Sequence, residues 1–302
     1  MSRLKVFVVG TCVLASSLAS PQMVRWAGNG NFYERVPDWR TWSKARDDAA
    51  LRKFLGVAGH LMTLTSSGEQ SFIVATFGEP LREGSLGGYK SGGVWRWVTN
   101  EPWSYTNWAP GEPNGADYLA FHGGSFLGSW NDRPDSDTRH FFVEYPVRLL
   151  DILTSNYAIT KGTQLGGTLF ELLISDNTYM TLQSIASLQR MVPDAQVEIS
   201  GVVPAGTISA VGVVVESAVS TTNVKERVEM FDFVANQWVN FGDRFPTPND
   251  SEAVSATAVD ASRFVQPGTR QIRARLSWFD HGTPVRSWLV RIDKAVFGVA
   301  FQ

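Results

Sequence analysis

Apolar positions change their spacing along this chain, and the changes divide it. Between residues 41 and 77 they recur at helical intervals. Thr41 can cap a helix from Trp42 to about Leu55, where Trp42, Ala45, Ala49 and Phe54 form an apolar stripe and Gly56 offers a stop. Ser66 and Glu69 form a Ser-x-x-Glu capping box ahead of a second helix over Gln70 to Phe77, which Gly78 ends. Leu61-Met62-Thr63-Leu64 reads as a strand. Residues 81–132 have little period and are rich in Gly, Trp and Asn, which is unusual in a compact domain unless the loops have a function.

From Ile152 onward helical signals fade, and short alternating segments separated by Gly, Pro, Asn and Asp take over. In Gln271 to Trp278 the Ile, Ala, Leu and Trp fall on one face and the Gln, Arg, Arg and Ser on the other. Arg227 to Met230 and Val290 to Asp293 alternate likewise, and Val211 to Val215 reads as a buried strand. The pattern predicts a mixed α+β part, with its helices early, ahead of an all-β sandwich over 152–302 with eight or so strands in two sheets. The join near Val147 to Ser155 lacks a long flexible composition, so close packing of the two is expected.

Composition adds bounds. The chain has 302 residues, with 27 basic against 29 acidic side chains, which leaves no electrostatic footprint for nucleic acid or an anionic membrane. Arg3 and Lys5 precede an apolar run from Val6 to Ala19 that reads as a secretory signal peptide over 1–19, with Ser17 and Ala19 satisfying the small-residue rule for cleavage. The run is shorter than the ~20 residues a spanning helix needs. Thr11 ahead of Cys12 makes a poor lipoprotein signal, and Cys12 is the only cysteine, so the mature protein would carry no thiol. No later segment is apolar enough to span a bilayer. These features predict a secreted, extracellular protein.

Candidate chemistry sits in two short clusters of hard oxygen donors, Glu112-Pro113-Asn114 and Trp130-Asn131-Asp132. Calcium takes six to eight oxygens from carboxylates and amide or backbone carbonyls, and Glu112, Asn114, Asn131 and Asp132 supply that mixture if the fold joins the clusters. Asp132-x-x-Asp135-x-Asp137 lacks the glycine and distal glutamate of an EF-hand loop and reads as a solvated turn. His60, His122, His140 and His281 have no metal-ligand spacing. The chain has no nucleophile elbow, zinc-protease helix or phosphate loop, so an enzyme is not expected.

The two clusters, with Trp95-Arg96-Trp97-Val98, Tyr105 to Trp108, Leu86-Gly87-Gly88, Thr41-Trp42, Ala45 and Phe141 to Tyr145 in their order, resemble C-type lectin domains over roughly residues 26 to 147. Lacking paired cysteines, the chain is more similar to bacterial members of that family than to animal ones. The resemblance implies a cis Glu112-Pro113 bond, calcium held by Glu112, Asn114, Asn131 and Asp132, and vicinal sugar hydroxyls completing the coordination shell. It also implies mannose-type preference, because Glu-Pro-Asn accompanies mannose-like sugars and Gln-Pro-Asp accompanies galactose.

Three departures stand out. Ala116 occupies the place of a further acidic ligand, so either Asp117 turns inward as the missing donor or the site has fewer protein oxygens and weaker affinity. Ser85 replaces the strand tryptophan, and the family disulfides are missing. Trp95, Trp97, Trp108 and Trp130 read as loop core, leaving Tyr105, Tyr118 and His122 to flank a sugar. The segment Ser287 to Val296 loosely resembles the last strand of jelly-roll modules that accompany secreted carbohydrate-active proteins. A second sugar face there would use Trp238, Trp278 or Trp288; a structural role is the other reading.

The leading expectation is therefore a secreted, calcium-dependent protein that binds mannose-like glycans. The alternative is a C-type lectin-like protein-binding or scaffold module whose calcium site is structural or lost. A hydrolase with a lectin accessory domain is a third. No coiled-coil segment specifies an oligomer.

Overall fold

The computed structural model describes residues 23–185, 192–249, 251–282 and 287–302. The expected signal peptide and Cys12 lie outside the described residues. The N-terminal unit runs β1 (Val24–Arg25), β2 (Phe32–Arg40), α1 (Trp42–Leu51), β3 (Lys53–Phe54), β4 (Val57–Ala58), β5 (His60–Leu61), α2 (Ser67–Phe77), β6 (Ser85–Ser91), β7 (Val94–Trp97), β8 (Tyr118–Phe121), β9 (Trp130–Arg133) and β10 (Arg139–Tyr145).

Both caps form as expected, although α2 begins at Ser67, directly after its cap, rather than at Gln70. Thr41 accepts from the Lys44 amide and Ser66 from the Glu69 amide. The reciprocal half of the box is absent: the Glu69 carboxylate accepts instead from the Thr65 amide at 2.8 Å and the Tyr33 hydroxyl at 2.6 Å. Gly78, at φ 55, ends α2 as expected. Helix α1 stops at Leu51 rather than near Leu55, because Lys53–Phe54 and Val57–Ala58 pair as a hairpin. Leu55 and Gly56 form its two-residue turn, both with positive φ (49 and 84), so Gly56 serves a hairpin and not a helix stop.

One sheet, in the order β1-β2-β10-β6-β8-β9, organises this unit; β5 also pairs with β10 and β7 with β6. All seven residues of β10 are buried, because both faces of the sheet are covered. Phe141, Val143 and Tyr145 face α1 with Trp42, Ala45 and Ala49. Phe142 faces the other way, into a core of Leu86, Leu119, Phe121, Ile73 from α2, and Trp97 and Trp130. Ser85, buried at the start of β6, pairs with Phe141 and Ala120 across the sheet.

The described residues of the C-terminal unit form eleven strands rather than eight or so: β11 (Leu150–Ile152), β12 (Asn156–Lys161), β13 (Thr163–Gly166), β14 (Met180–Gln183), β15 (Ala195–Val202), β16 (Ile208–Val219), β17 (Val224–Asp232), β18 (Gln237–Arg244), β19 (Ser251–Thr257), β20 (Gln271–Asp280) and β21 (Leu289–Phe301). They form antiparallel sheets β13-β14-β21-β16-β19, with β11 on β21, and β12-β15-β20-β17-β18. Alternation along β20 puts Ile272, Ala274, Leu276 and Trp278 into the shared core. Trp288 is buried there too, whereas Trp238 lies on the outer face with the Arg275 guanidinium 4.5 Å above its ring.

The units meet closely. Val147 and Leu149 of the join bury against the N-terminal core, with Val254 and Ala300 beside them. Arg25 approaches Asp151 (3.5 Å) and Glu252 (3.9 Å), and Lys294 approaches the same acids at 2.9 and 3.6 Å. No described helix is long and apolar enough to cross a membrane.

Candidate functional site

Strand β9 and the loop ahead of β8 bring the two oxygen-donor clusters together. The loop is fixed to β9 from its start: the Trp130 amide donates to Asn107 O (2.7 Å), the Ala109 amide to Trp130 O (2.9 Å), and the Glu112 amide to Ala109 O (3.0 Å). Glycines at positive φ, Gly111 (87) and Gly115 (135), turn the chain on either side of Glu112-Pro113-Asn114, and the Glu112-Pro113 bond is cis. Beneath lies an aromatic cluster in which Trp95, Trp97, Trp103 and Trp108 surround Trp130 and one another. Trp97 and Trp130 are fully buried, so these rings shape the loop from within.

Helix α2 locks the cluster. Gln70 accepts from Trp130 Nε1 (2.9 Å) and donates to Gly128 O (2.9 Å), and Asn107 donates to the same carbonyl at 3.0 Å. This buried amide has no distinguishing sequence signal beyond a polar residue on the apolar side of a helix.

Asp132 is buried and ties the loop down. Its Oδ1 accepts from the Asn114 amide (2.8 Å), and its Oδ2 from the amides of Gly115 (2.8 Å) and Ala116 (2.5 Å). The Glu112 carboxyl is close enough to Asp132 for the two acids to influence each other's charge. Burial and the Asp132 carboxylate push Glu112 above the usual glutamate range, only partly offset by Arg133 and His122. Burial also acts to raise Asp132, but the three backbone amides and Glu112 outweigh it and hold Asp132 below the aspartate range.

Two acceptors have no donor. Glu112 Oε2 and Asn131 Oδ1 are buried and make no hydrogen bond. An unsatisfied buried acceptor costs roughly 1–3 kcal/mol, which a cation would relieve. Hard oxygens, two carboxylates and two amides are a chemistry that suits calcium, so the residues fit the ion the resemblance implies. They do so sparingly: among the described residues no three His, Cys, Asp or Glu side chains converge on one point.

Other sequence candidates fall elsewhere. Asp117 is turned toward Lys90, its Oδ1 3.8 Å from the ammonium and its side chain 62% exposed. Asp135 accepts from the Ser43 amide at the start of α1 (2.8 Å), and Asp137 pairs with Arg139 at 2.9 Å. Tyr105 packs edge-on against Trp130, Tyr118 against Trp42, and His122 accepts from the Gly124 amide. Lys90, which the sequence did not single out, donates to Ala116 O at 3.0 Å and so holds the loop from the side opposite Asp132.

No family model matches the chain. An alignment of 151 positions, which covers 44% of this chain and 2% of the relative, is 32% identical to halomucin of Haloquadratum walsbyi. An alignment of 115 positions, which covers 34% of this chain and 7% of the relative, is 30% identical to human C-type mannose receptor 2. The chain thus spans a small fraction of these relatives' length. Among solved structures, the EPNH mutant of CEL-I, a C-type lectin from Cucumaria echinata, aligns over 38% of this chain and 89% of its own, with 25% identity and a TM-score of 0.35. The N-terminal unit is thus similar in sequence to C-type lectin relatives, and a β-sandwich follows it.

Proposed function

We propose that this protein is a secreted, calcium-dependent carbohydrate-binding protein of mannose-type preference, with Glu112, Asn114, Asn131 and Asp132 as its site. The observation that carries the reading is the pair of buried, unpartnered acceptors, Glu112 Oε2 and Asn131 Oδ1, beside the carboxylate of Asp132. Export rests on the sequence of residues 1–19, and similarity to a mannose receptor supports glycan binding. When bound, the ion supplies a Lewis-acidic centre on which vicinal hydroxyls can lodge. The chain's own groups then read the sugar: the Asn114 amide, on an exposed residue, can donate to a hydroxyl oxygen, and Glu112 can accept a hydroxyl proton.

A second reading has one specific observation in its favour. Asp132 spends both oxygens on three backbone amides, so the loop is held without an ion, as a protein-binding or scaffold module would require. Calorimetric titration with calcium, then with methyl α-mannoside at saturating calcium and again in chelator, separates the two. Chelator-sensitive sugar binding supports the lectin reading, and absence of any calcium heat supports the scaffold.

A further inference from the structure

A second cleft, of about 370 Å³, opens between α1 and strands β6 and β8, a size within the range of small-ligand sites. Its wall is aromatic: the Tyr118 and Tyr89 rings lie 4.6 and 5.8 Å from that of Trp42. Arg46 and Lys90 also line it, and no acidic residue does. The hydroxyls of Tyr89, Tyr118 and Ser91 make no hydrogen bond to any described residue.

Both cations keep capacity. Arg46 donates from Nε and Nη2 to a single oxygen of Asp47, in a pair about half exposed on each side and therefore screened by solvent. Lys90 uses one ammonium proton on Ala116 O and lies 3.8 Å from the exposed carboxylate of Asp117, which leaves it further donors. Half-buried tyrosine rings, unused hydroxyls and two cations whose acidic neighbours, Asp47 and Asp117, are largely exposed together suit a pyranose ring bearing an anionic group, since such a ring has an apolar C–H face, hydroxyls and a carboxylate or sulfate.

The cleft adjoins the loop of the proposed sugar site. The Lys90 amide donates to Asp117 O and its ammonium to Ala116 O, and Tyr118 follows Asn114 by four residues, at most about 14 Å of chain. Resting on the carbohydrate-binding reading above, we propose that this cleft is a subsite for an acidic sugar ring, a hexuronate or sulfated hexose, neighbouring the mannose-type residue of the same glycan.

The test compares methyl α-mannoside, a glucuronosyl-mannose disaccharide, a sulfated-hexosyl-mannose disaccharide and a neutral glucosyl-mannose disaccharide by calorimetry at saturating calcium. At least one acidic disaccharide should bind about tenfold tighter than the neutral one, as a charge-assisted hydrogen bond gives; which one does identifies the anion. Arg46→Gln should remove that advantage, and Ser91→Asp should remove or reverse it, while methyl α-mannoside binds each variant as it binds the parent. Equal affinity for acidic and neutral disaccharides, or an advantage that survives both variants, overturns the subsite. If methyl α-mannoside does not bind at all, the primary-site reading fails by itself. The cleft is then judged by NMR shifts of Ser91 and Tyr118 with glucuronate and with glucose 6-sulfate in chelator: shifts lost in Arg46→Gln support it, and no shift with either probe overturns it.

Discussion

Asp132 Oδ1 accepts the backbone amide of Asn114 at 2.8 Å, so the second donor cluster is itself the fastener of the loop that carries the first. The side chain of Asn114 makes no hydrogen bond to a described residue and stands exposed. Two neighbouring members of one proposed site thus have opposite duties in the fold: one holds, the other is held with its side chain left over.

That difference separates two substitutions. Asn114→Ala should leave stability in chelator within about 0.5 kcal/mol, as for an exposed residue without a structural contact. Asp132→Ala strips three backbone amides of a charged acceptor and should cost on the order of 1.5–3 kcal/mol. Both should lose calcium-dependent retention on a mannose matrix. Denaturant titration in chelator gives the first comparison; equal destabilisation would refute the fastener role, and retention by Asn114→Ala would remove Asn114 from the site.

Ala116 sits where its amide meets Asp132 Oδ2 and its carbonyl meets Lys90, at the edge of the donor cluster. With Asp117 turned to Lys90, the loop offers no further acid there. Ala116→Glu should raise calcium affinity on the order of tenfold, because affinity follows ligand charge. Calorimetry reads the change directly, and an unchanged affinity would mean that position 116 does not face the ion.

What the sequence made legible was local. Thr41 and Ser66 announce helix starts because a cap is a contact within three residues. The end of α1 was misplaced because Gly56 reads identically as a helix stop and as the second residue of a hairpin turn; the choice was made by the pairing of Phe54 with Val57. The sandwich exceeded its expected strand count through β11 to β14, short strands such as Asn156–Lys161, where only Tyr157 and Ile159 turn inward and the alternation is too brief to stand out. At the site the oxygen donors were visible as residue types, and so was the burial of Trp97 and Trp130. The attachment of Asp132 and Lys90 to backbone groups was not, since a main-chain amide or carbonyl leaves no mark in the pattern of side chains.

Gly87 joins the site's sheet to its core, and its lack of a side chain is required. Its amide donates to Met62 O and its carbonyl accepts from Val98, while a Cβ there would lie 2.5 Å from Leu61 O, a backbone atom that cannot swing aside. Gly87→Ala should cost about 1–3 kcal/mol by overpacking. Gly92, in the turn after β6, has nothing within 4 Å of its Cβ position and only the strain of φ 59. Thermal melts of the two alanine variants should therefore rank Gly87→Ala below Gly92→Ala, and the reverse order would refute the close approach.

Acid should release calcium before it unfolds the loop. Burial and the nearby Asp132 carboxylate raise Glu112, so protons reach it above the ordinary value of about 4.3, whereas Asp132, its burial outweighed by backbone amides, stays ionised below about 3.9. With a folded-state pKa above the unfolded one, the cation-free fold binds the Glu112 proton more tightly. Its contribution therefore gains as pH falls through that raised value. Asp132 has the opposite sign: its contribution is present above the unfolded value and is lost only as pH falls through its depressed one. Calcium needs the Glu112 carboxylate, so affinity should decline from above the usual glutamate range while the chelated protein keeps its melting temperature over the same window. Calcium titrations from pH 7 to 4 beside melts in chelator check both halves. A chelated protein that loses stability in step with calcium affinity would show that Asp132, not Glu112, takes the first proton.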